Sequence, residues 1–189
     1  STQGVSSAAS DVYKRQALSF DEYYLYTGDV LFLKEKAYPF FYEVGKAIMG
    51  LLEEKNGKLY LPLSTSPEIY DDTPEAYLIP NSNFDLALIR YLFVRLQEYS
   101  EILNKEKTAY EEILSKLDEI AVIDGYIGLN RVERLKESHR HFSHLMCLYP
   151  LHLIHYDTKE HRELYKKALS EIEKLGTGMW VCLLYTSPS

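Results

Sequence analysis

The sequence predicts an all-α fold, and three observations support this prediction. Apolar side chains recur at intervals of three and four along most of the chain, which is the pattern of helices that bury one face. No segment shows the sustained alternation of apolar and polar residues that a half-buried sheet requires. The helix-like segments are joined by polar loops and contain no fixed-period repeat, so a closed helical toroid is favoured over a repeat array.

The first half of the chain predicts two helices and a short extended segment. "SFDEYYLYTG" has Ser19 as a candidate N-cap and Gly28 as a stop. Residues 30–54 carry an apolar helical stripe, in which Pro39 predicts a kink or the start of a new helix. The stripe consists of Leu33, Ala37, Phe40, Phe41, Val44, Ile48, Leu51 and Leu52. "NGKLYLPL" then predicts a turn and a short extended segment.

Three further helices are predicted at residues 84–103, 105–120 and 158–175, again from apolar residues three and four apart. Two irregular stretches separate the helices, "STSPEIYDDTPEAYLIPNSN" and "DGYIGLNRVERLKESHRHFSHLM". Long irregular loops inside a compact helical domain are uncommon and are often functional. We therefore expect the chemistry of the protein in these two stretches.

The two ends of the chain do not resemble native sequence of the predicted helical domain. One plausible set of codons for residues 11–16, "DVYKRQ", when reverse-complemented, encodes "CLLYTS", residues 182–187. Such an inverted repeat resembles the transposon end used to prepare sequencing libraries. We predict that residues 1–16 and 182–189 are translated adapter and that residues 17–181 are a fragment of a longer protein.

Composition argues against several classes of partner. Without Lys14, Arg15 and Asp11, the chain has 19 basic and 27 acidic residues and a net charge of −8, which is unsuited to nucleic acid. Cys147 is then the single cysteine, so an internal disulfide is not expected. No apolar run approaches the roughly 18 residues of a membrane helix, and no membrane partner is predicted.

Glu68 is the first candidate for a chemical role, in the segment "LPLSTSPEIYDD". Pro67 fixes its own φ and restricts Ser66, so the carboxyl group of Glu68 is placed on a rigid loop. A general acid needs such placement, because proton transfer requires hydrogen-bond reach. The alternative is a glutamate that interacts with a nearby helix dipole. Asp71 and Asp72 are interpreted as solvated or capping residues.

The run "ESHRHFSHLM" concentrates three of the six histidines around Arg140. His139, His141 and His144 are spaced i, i+2 and i+5, which does not place all three on one face of a helix. The spacing therefore disfavours a zinc site, and no metal is predicted. Two interpretations stay open: a loop that hydrogen-bonds hydroxyls or carboxylates, and a capped helix with Phe142, Leu145 and Leu148 in the core. Asn81, Asn83 and Asp85 are interpreted first as helix caps.

Four segments together resemble glycoside hydrolase family 95, the family of α-L-fucosidases and α-L-galactosidases. These are "YTGDVLFLKEKAYPFF", "LPLSTSPE", "NFDLALIRYLF" and "LKESHRHFSHLMCLYPLHLI", in order along residues 17–181. The resemblance implies a partial (α/α)6 barrel with long active-site loops and an inverting hydrolysis of terminal α-L-fucosyl or α-L-galactosyl residues. It assigns the general acid to Glu68, with a raised pKa, and contacts to the sugar to Arg140 and His141.

The resemblance also implies that the catalytic base is missing from this chain. The family's asparagine pair that activates water lies upstream of the matching segments, and its aspartate lies downstream. The isolated fragment is therefore expected to be inactive. The resemblance implies that the parent protein is a glycosidase with a glycan substrate, no cofactor and a bacterial periplasmic or secreted location. The alternatives are another α/α-toroid hydrolase or lyase, and a helical scaffold without catalysis.

Overall fold

The computed structural model of the chain describes residues 16–67, 69–70, 73–139 and 141–176, and helices form most of their regular structure. The predicted predominance of helix is confirmed. The described residues form two compact units. The first contains residues 16–63 and 85–119, and the second contains the remainder.

The helices of the first unit follow the predicted order. They are α1 (16–27), α2 (Val30–Phe32), α3 (Tyr38–Met49), α4 (Asn83–Ile102, which starts in the second unit) and α5 (Thr108–Lys116). Ser19 was predicted as an N-cap, but it lies inside α1 because the helix already includes Gln16. The side chain of Asp29 caps α2 instead, accepting from the backbone N–H of Phe32 at 2.9 Å.

Pro39 is accommodated by a wide helical turn. Leu33–Ala37 is π-helical and links α2 to α3, and the N–H of Tyr38 bonds to the carbonyl of Leu33 five residues earlier. Proline has no N–H to donate and is tolerated in the first turn of a helix, which is where Pro39 lies in α3. The predicted start of a new helix at this proline is confirmed.

Helix α4 forms the centre of the first unit. Most of its residues are buried, as expected of a helix that packs against others on most sides, and Ile89, Phe93 and Leu96 have no exposed surface. Helix α3 approaches it closely at Gly45, where an added Cβ would lie 2.8 Å from Cδ1 of Leu96. Gly45 therefore sets the distance between these two helices.

Two short antiparallel hairpins interrupt the helices. Their strands are β1 (Glu53–Lys55), β2 (Lys58–Tyr60), β3 (Val122–Ile123) and β4 (Tyr126–Ile127). The turns are Asn56-Gly57, with φ of 54° and 74°, and Asp124-Gly125, with φ of 53° and 79°. Positive φ at both central residues is what a tight hairpin requires. The first hairpin matches the predicted turn and extended segment, whereas the second was not predicted.

The second unit contains the hairpin β3–β4, two 3₁₀ turns and helix α6 (Lys159–Leu175). Thr158 caps α6, and its hydroxyl accepts from the N–H of His161 at 3.1 Å. The hydroxyl of Tyr165 on α6 donates to the carbonyls of Leu148 and Ile154 at 3.2 and 2.8 Å. These bonds attach the chain after the histidine-rich run to α6. Within the described ranges, no helix has the length and apolar character to cross a membrane.

Cys147 is expected to resist thiol reagents as long as the chain is folded. Its side chain has no exposed surface, and burial raises the pKa of its thiol to about 12. At pH 8 only about one thiol in ten thousand would then be ionised, and the thiolate is the reactive form. Labelling with dithionitrobenzoate in a Cys182→Ser variant should therefore be negligible in buffer and complete in 6 M guanidinium. Rapid native labelling would contradict the buried position.

Candidate functional site

The loop that contains Glu68 is closed at its base by buried hydroxyl groups. The N–H of Leu78 donates to the carbonyl of Ser64 at 2.9 Å, and the N–H of Ser82 donates to Oγ of Ser64 at 2.7 Å. Oγ of Ser82 donates to the carbonyl of Thr65 at 2.8 Å. Ser64 and Ser82 are fully buried, so these hydroxyls need the partners they have. The base of the loop is thus held by both backbone and side-chain bonds.

Ile69, which follows Glu68, anchors the loop in a small apolar core. It is buried together with Leu78, Leu129 and Leu135 of the second unit. Its N–H also donates to the carbonyl of Ser66 at 3.2 Å. The residue next to Glu68 is therefore held in place by packing and by a turn.

A buried hydrogen bond joins the two motifs that the sequence analysis selected. Oγ of Ser66, in "STSPE", lies 2.8 Å from Oγ of Ser143, in "SHRHFSHL", although 77 positions separate them. Both serines are buried. The described neighbours of Glu68 and of Arg140 are thus in direct contact. The sequence did not predict a role for either serine. The only feature that could have indicated this contact was the presence of a small hydroxyl residue in each motif.

The structure describes only some of the predicted site residues. Glu68 and Arg140 lie outside the described residues, as do Asp71 and Asp72. His141 is half-buried, and its backbone N–H donates to Nδ1 of His139 at 3.0 Å. Nδ1 of His139 also lies 3.1 Å from the carbonyl oxygen of His141, so this ring nitrogen contacts both backbone polar groups of His141. The two imidazole rings lie 5.7 Å apart.

His144, the third histidine of the run, belongs to a buried polar cluster. Its Nε2 lies 3.8 Å from Oε2 of Glu171 on α6, and Arg134 binds the other oxygen of Glu171 at 2.7 Å. Burial acts to raise the pKa of Glu171, but the neighbouring His144 and Arg134 outweigh burial and lower it. Glu171 therefore stays ionised. His144 attaches the histidine-rich run to α6 and is not one of the candidates for sugar binding.

The histidine-rich run forms no α-helix in the part of the chain that the structure describes. Its regular structure is one 3₁₀ turn, Ser143–Leu145. Leu145 and Leu148 are nevertheless buried, as the capped-helix interpretation expected of them, whereas Phe142, which it also placed in the core, is half-buried. Among the described residues, no three His, Cys, Asp or Glu side chains are grouped so that they could hold a metal ion.

Asn83 has a structural role at the start of α4. Its Nδ2 donates to the carbonyls of Ala121 and Gly128 at 2.9 and 2.8 Å, and its Oδ1 accepts from the N–H of Ala121 at 2.8 Å. Its own N–H donates to the carbonyl of Leu129 at 2.7 Å. The buried amide is thus fully occupied in bonds to the residues that flank the hairpin β3–β4, within the second unit.

Comparison with known proteins identifies the family. The model of the glycosyl hydrolase family 95 catalytic domain matches residues 14–182. The chain is 32% identical over 166 residues to alpha-L-fucosidase 2 from Arabidopsis thaliana, an alignment that covers 82% of this chain and 20% of that protein. The chain thus spans about a fifth of the length of this relative. Because the family model covers nearly the whole chain, this protein belongs to glycosyl hydrolase family 95.

Proposed function

We propose that the chain is part of the (α/α)6 catalytic barrel of an inverting exo-glycosidase that removes terminal α-L-fucosyl or α-L-galactosyl residues from glycans. Family membership and the relative named alpha-L-fucosidase 2 support a glycosidase with this kind of substrate. The structural observation that carries the proposal is the buried bond between Ser66 and Ser143. This bond brings together the segments that contain Glu68 and the Arg140–His141 pair.

Glu68 acts in this proposal as the general acid. It gives its proton to the glycosidic oxygen while that oxygen leaves the anomeric carbon, and a water molecule attacks the same carbon from the opposite face. The water loses its proton to a base in another part of the full-length protein. The products are an alcohol and a free sugar of inverted configuration. In inverting enzymes the two catalytic groups lie roughly 6.5–9.5 Å apart, which leaves room for the water.

Arg140 and His141 bind hydroxyl groups of the sugar in the proposed complex. Oriented donors lower the barrier by holding the anomeric carbon in line with acid and water. The hydrogen bond of the His141 N–H to His139 and the 3.8 Å contact of His144 with Glu171 would keep this segment in place around Arg140. No cofactor takes part in this chemistry, and from the family resemblance we place the enzyme in the bacterial periplasm or outside the cell.

The isolated 189-residue chain is expected to be inactive, because the base is supplied by other parts of the protein. Incubation of the purified chain with an aryl α-L-fucoside should release no aryl alcohol above the buffer control. The full-length protein should hydrolyse the same substrate, and proton NMR should show the β-anomer of L-fucose as the first product. Hydrolysis by the chain alone, lost on Glu68→Gln, would contradict the assignment of the base to other segments.

A further inference from the structure

Tyr70, two residues after Glu68, has an uncommon backbone conformation. Its φ is 61°, in the left-handed region that bulky side chains rarely adopt. The backbone N–H and the hydroxyl of Thr73 both donate to the carbonyl of Tyr70, at 3.2 and 2.9 Å. Such conformations persist only where the surroundings impose them, and they are frequent at active sites.

The side chain of Tyr70 is held by a glutamate from the second irregular stretch. Its hydroxyl donates to Oε2 of Glu133 at 3.0 Å. The other carboxylate oxygen of Glu133 accepts from Nδ2 of Asn130 at 3.0 Å. Burial and the bond to Glu133 raise the pKa of Tyr70. The phenol therefore remains a donor throughout the neutral range.

Glu133 is itself fixed by a tight turn. Oδ1 of the fully buried Asn130 accepts from the N–H groups of Val132 and Glu133 at 2.9 and 3.0 Å. The carbonyl of Glu133 accepts from the N–H of Leu129 at 2.9 Å. Both the backbone and the side chain of Glu133 are thus constrained. Its carboxylate is therefore a hydrogen-bond acceptor at a fixed position for the hydroxyl of Tyr70.

We propose that Tyr70 and Glu133 form a positioning pair that orients the proton-donating carboxyl group of Glu68. This inference rests on the proposed role of Glu68 as general acid. Ser66 is anchored to Ser143 before position 68, and Tyr70 is anchored to Glu133 after it. Without the second anchor, the loop can relax from the left-handed conformation and move the acid. A displacement of about 1 Å can lower the rate by about a hundredfold.

The test compares leaving groups in the full-length protein, using Tyr70→Phe. This variant keeps the ring and removes the bond to Glu133. For an α-L-fucosyl disaccharide, whose leaving alcohol needs a proton, kcat should fall about tenfold with little change in KM. For 2,4-dinitrophenyl α-L-fucoside, whose leaving group departs without a proton, kcat should change less than about twofold. Glu133→Gln should show the same selective loss, because a neutral acceptor holds the phenol more weakly.

The controls separate positioning from a general loss of structure. Tyr77→Phe alters an exposed tyrosine of the same loop and should leave both substrates unaffected. An equal loss on both substrates in Tyr70→Phe and Glu133→Gln would show a merely structural pair and overturn the inference. A leaving-group effect in Glu68→Gln but not in these variants would overturn the inference and leave the proposed function standing. No leaving-group effect in Glu68→Gln would overturn both.

Discussion

Replacing Glu68 with glutamine in the full-length protein is expected to lower kcat on an α-L-fucosyl disaccharide by about 10²–10⁴-fold, the usual contribution of general acid catalysis. Glutamine has nearly the size of glutamate, but it cannot donate a proton to the glycosidic oxygen. KM should change little, because the proton is transferred only in the transition state. Steady-state kinetics on the disaccharide and on 2,4-dinitrophenyl α-L-fucoside measure the effect, which should be much smaller on the second substrate.

Glu75 is the matched control for Glu68, because it is an exposed carboxylate of the same loop. Hydrogen bonding from Thr73 lowers the pKa of Glu75, so this group is ionised at neutral pH and has no proton to give. Glu75→Gln should therefore leave kcat/KM within about twofold of the wild-type value, as expected for a surface substitution. A loss in Glu75→Gln as large as in Glu68→Gln would assign the effect to the loop and not to the acid.

The pH dependence provides a second readout of the same substitution. A general acid must be protonated to act, so the wild-type kcat/KM should fall as pH rises through the pKa of that acid. Glu68→Gln should remove this alkaline limb from the profile, whereas Glu75→Gln should retain it. If the alkaline limb persisted unchanged in Glu68→Gln, the acid would be a different residue.

The long helices were predictable because their apolar residues repeat over several turns. Helix α4 was predicted at residues 84–103 and is observed at Asn83–Ile102. Helix α5 is shorter than its predicted range of 105–120, since Leu117 is extended and forms a β-bridge with Leu59. The spacing of apolar side chains shows that a helix forms, but tertiary pairing decides where it ends.

The hairpin β3–β4 was missed because its strands are too short for alternation to be visible. Each strand has two residues, Val122–Ile123 and Tyr126–Ile127. The signal was the dipeptide Asp124-Gly125, since Asp-Gly is a preferred pair for a turn with two positive φ angles. Within this irregular stretch, the turn-forming dipeptide was therefore a better predictor of local structure than the spacing of apolar residues.

The sequence selects the two motifs of the candidate site, but it does not show the contacts within that site. Glu68, Arg140 and His141 were selected through rigid placement, residue chemistry and resemblance to a family. The contact of Ser66 with Ser143 and the pairing of His144 with Glu171 join positions far apart in the chain. Local patterns carry no information about such pairs, because the partner is set by how loops pack around a common core.

The largest effect on stability is expected from Asp21→Ala, at about 3–5 kcal/mol of the free energy of unfolding. Asp21 is buried on α1 and accepts hydrogen bonds from the hydroxyls of Tyr91 and Tyr99 on α4. Nε of Arg95 lies 3.3 Å from its carboxylate. Removing the carboxylate leaves two buried hydroxyls without their acceptor and leaves the largely buried guanidinium of Arg95 with the more exposed Glu98 as its ion-pair partner. This costs far more than a lost surface ion pair.

Urea denaturation of the 189-residue chain at pH 7, followed by far-UV circular dichroism, measures this effect. Glu22→Ala is the matched control, because Glu22 is an exposed carboxylate at the next position of α1. The free energy of unfolding of the Glu22→Ala variant should stay within about 0.5 kcal/mol of the wild-type value. Equal effects of the two substitutions would show that the buried cluster around Asp21 contributes nothing specific.

The cluster also predicts how stability depends on alkaline pH. Burial and the carboxylate of Asp21 raise the pKa of Tyr91 and Tyr99 above the ordinary 10.0. The folded chain then keeps protons that the unfolded chain releases, so this contribution is complete below pH 10 and is lost as pH rises above it.

An apolar replacement of the cluster, with Asp21→Leu, Tyr91→Phe, Tyr99→Phe and Arg95→Met, should recover most of the loss in Asp21→Ala. It should also lose less stability than wild type between pH 9 and 11. Because Cys147 titrates in both proteins, the difference between the two pH dependences reports the two tyrosines, and identical dependences would contradict their raised pKa.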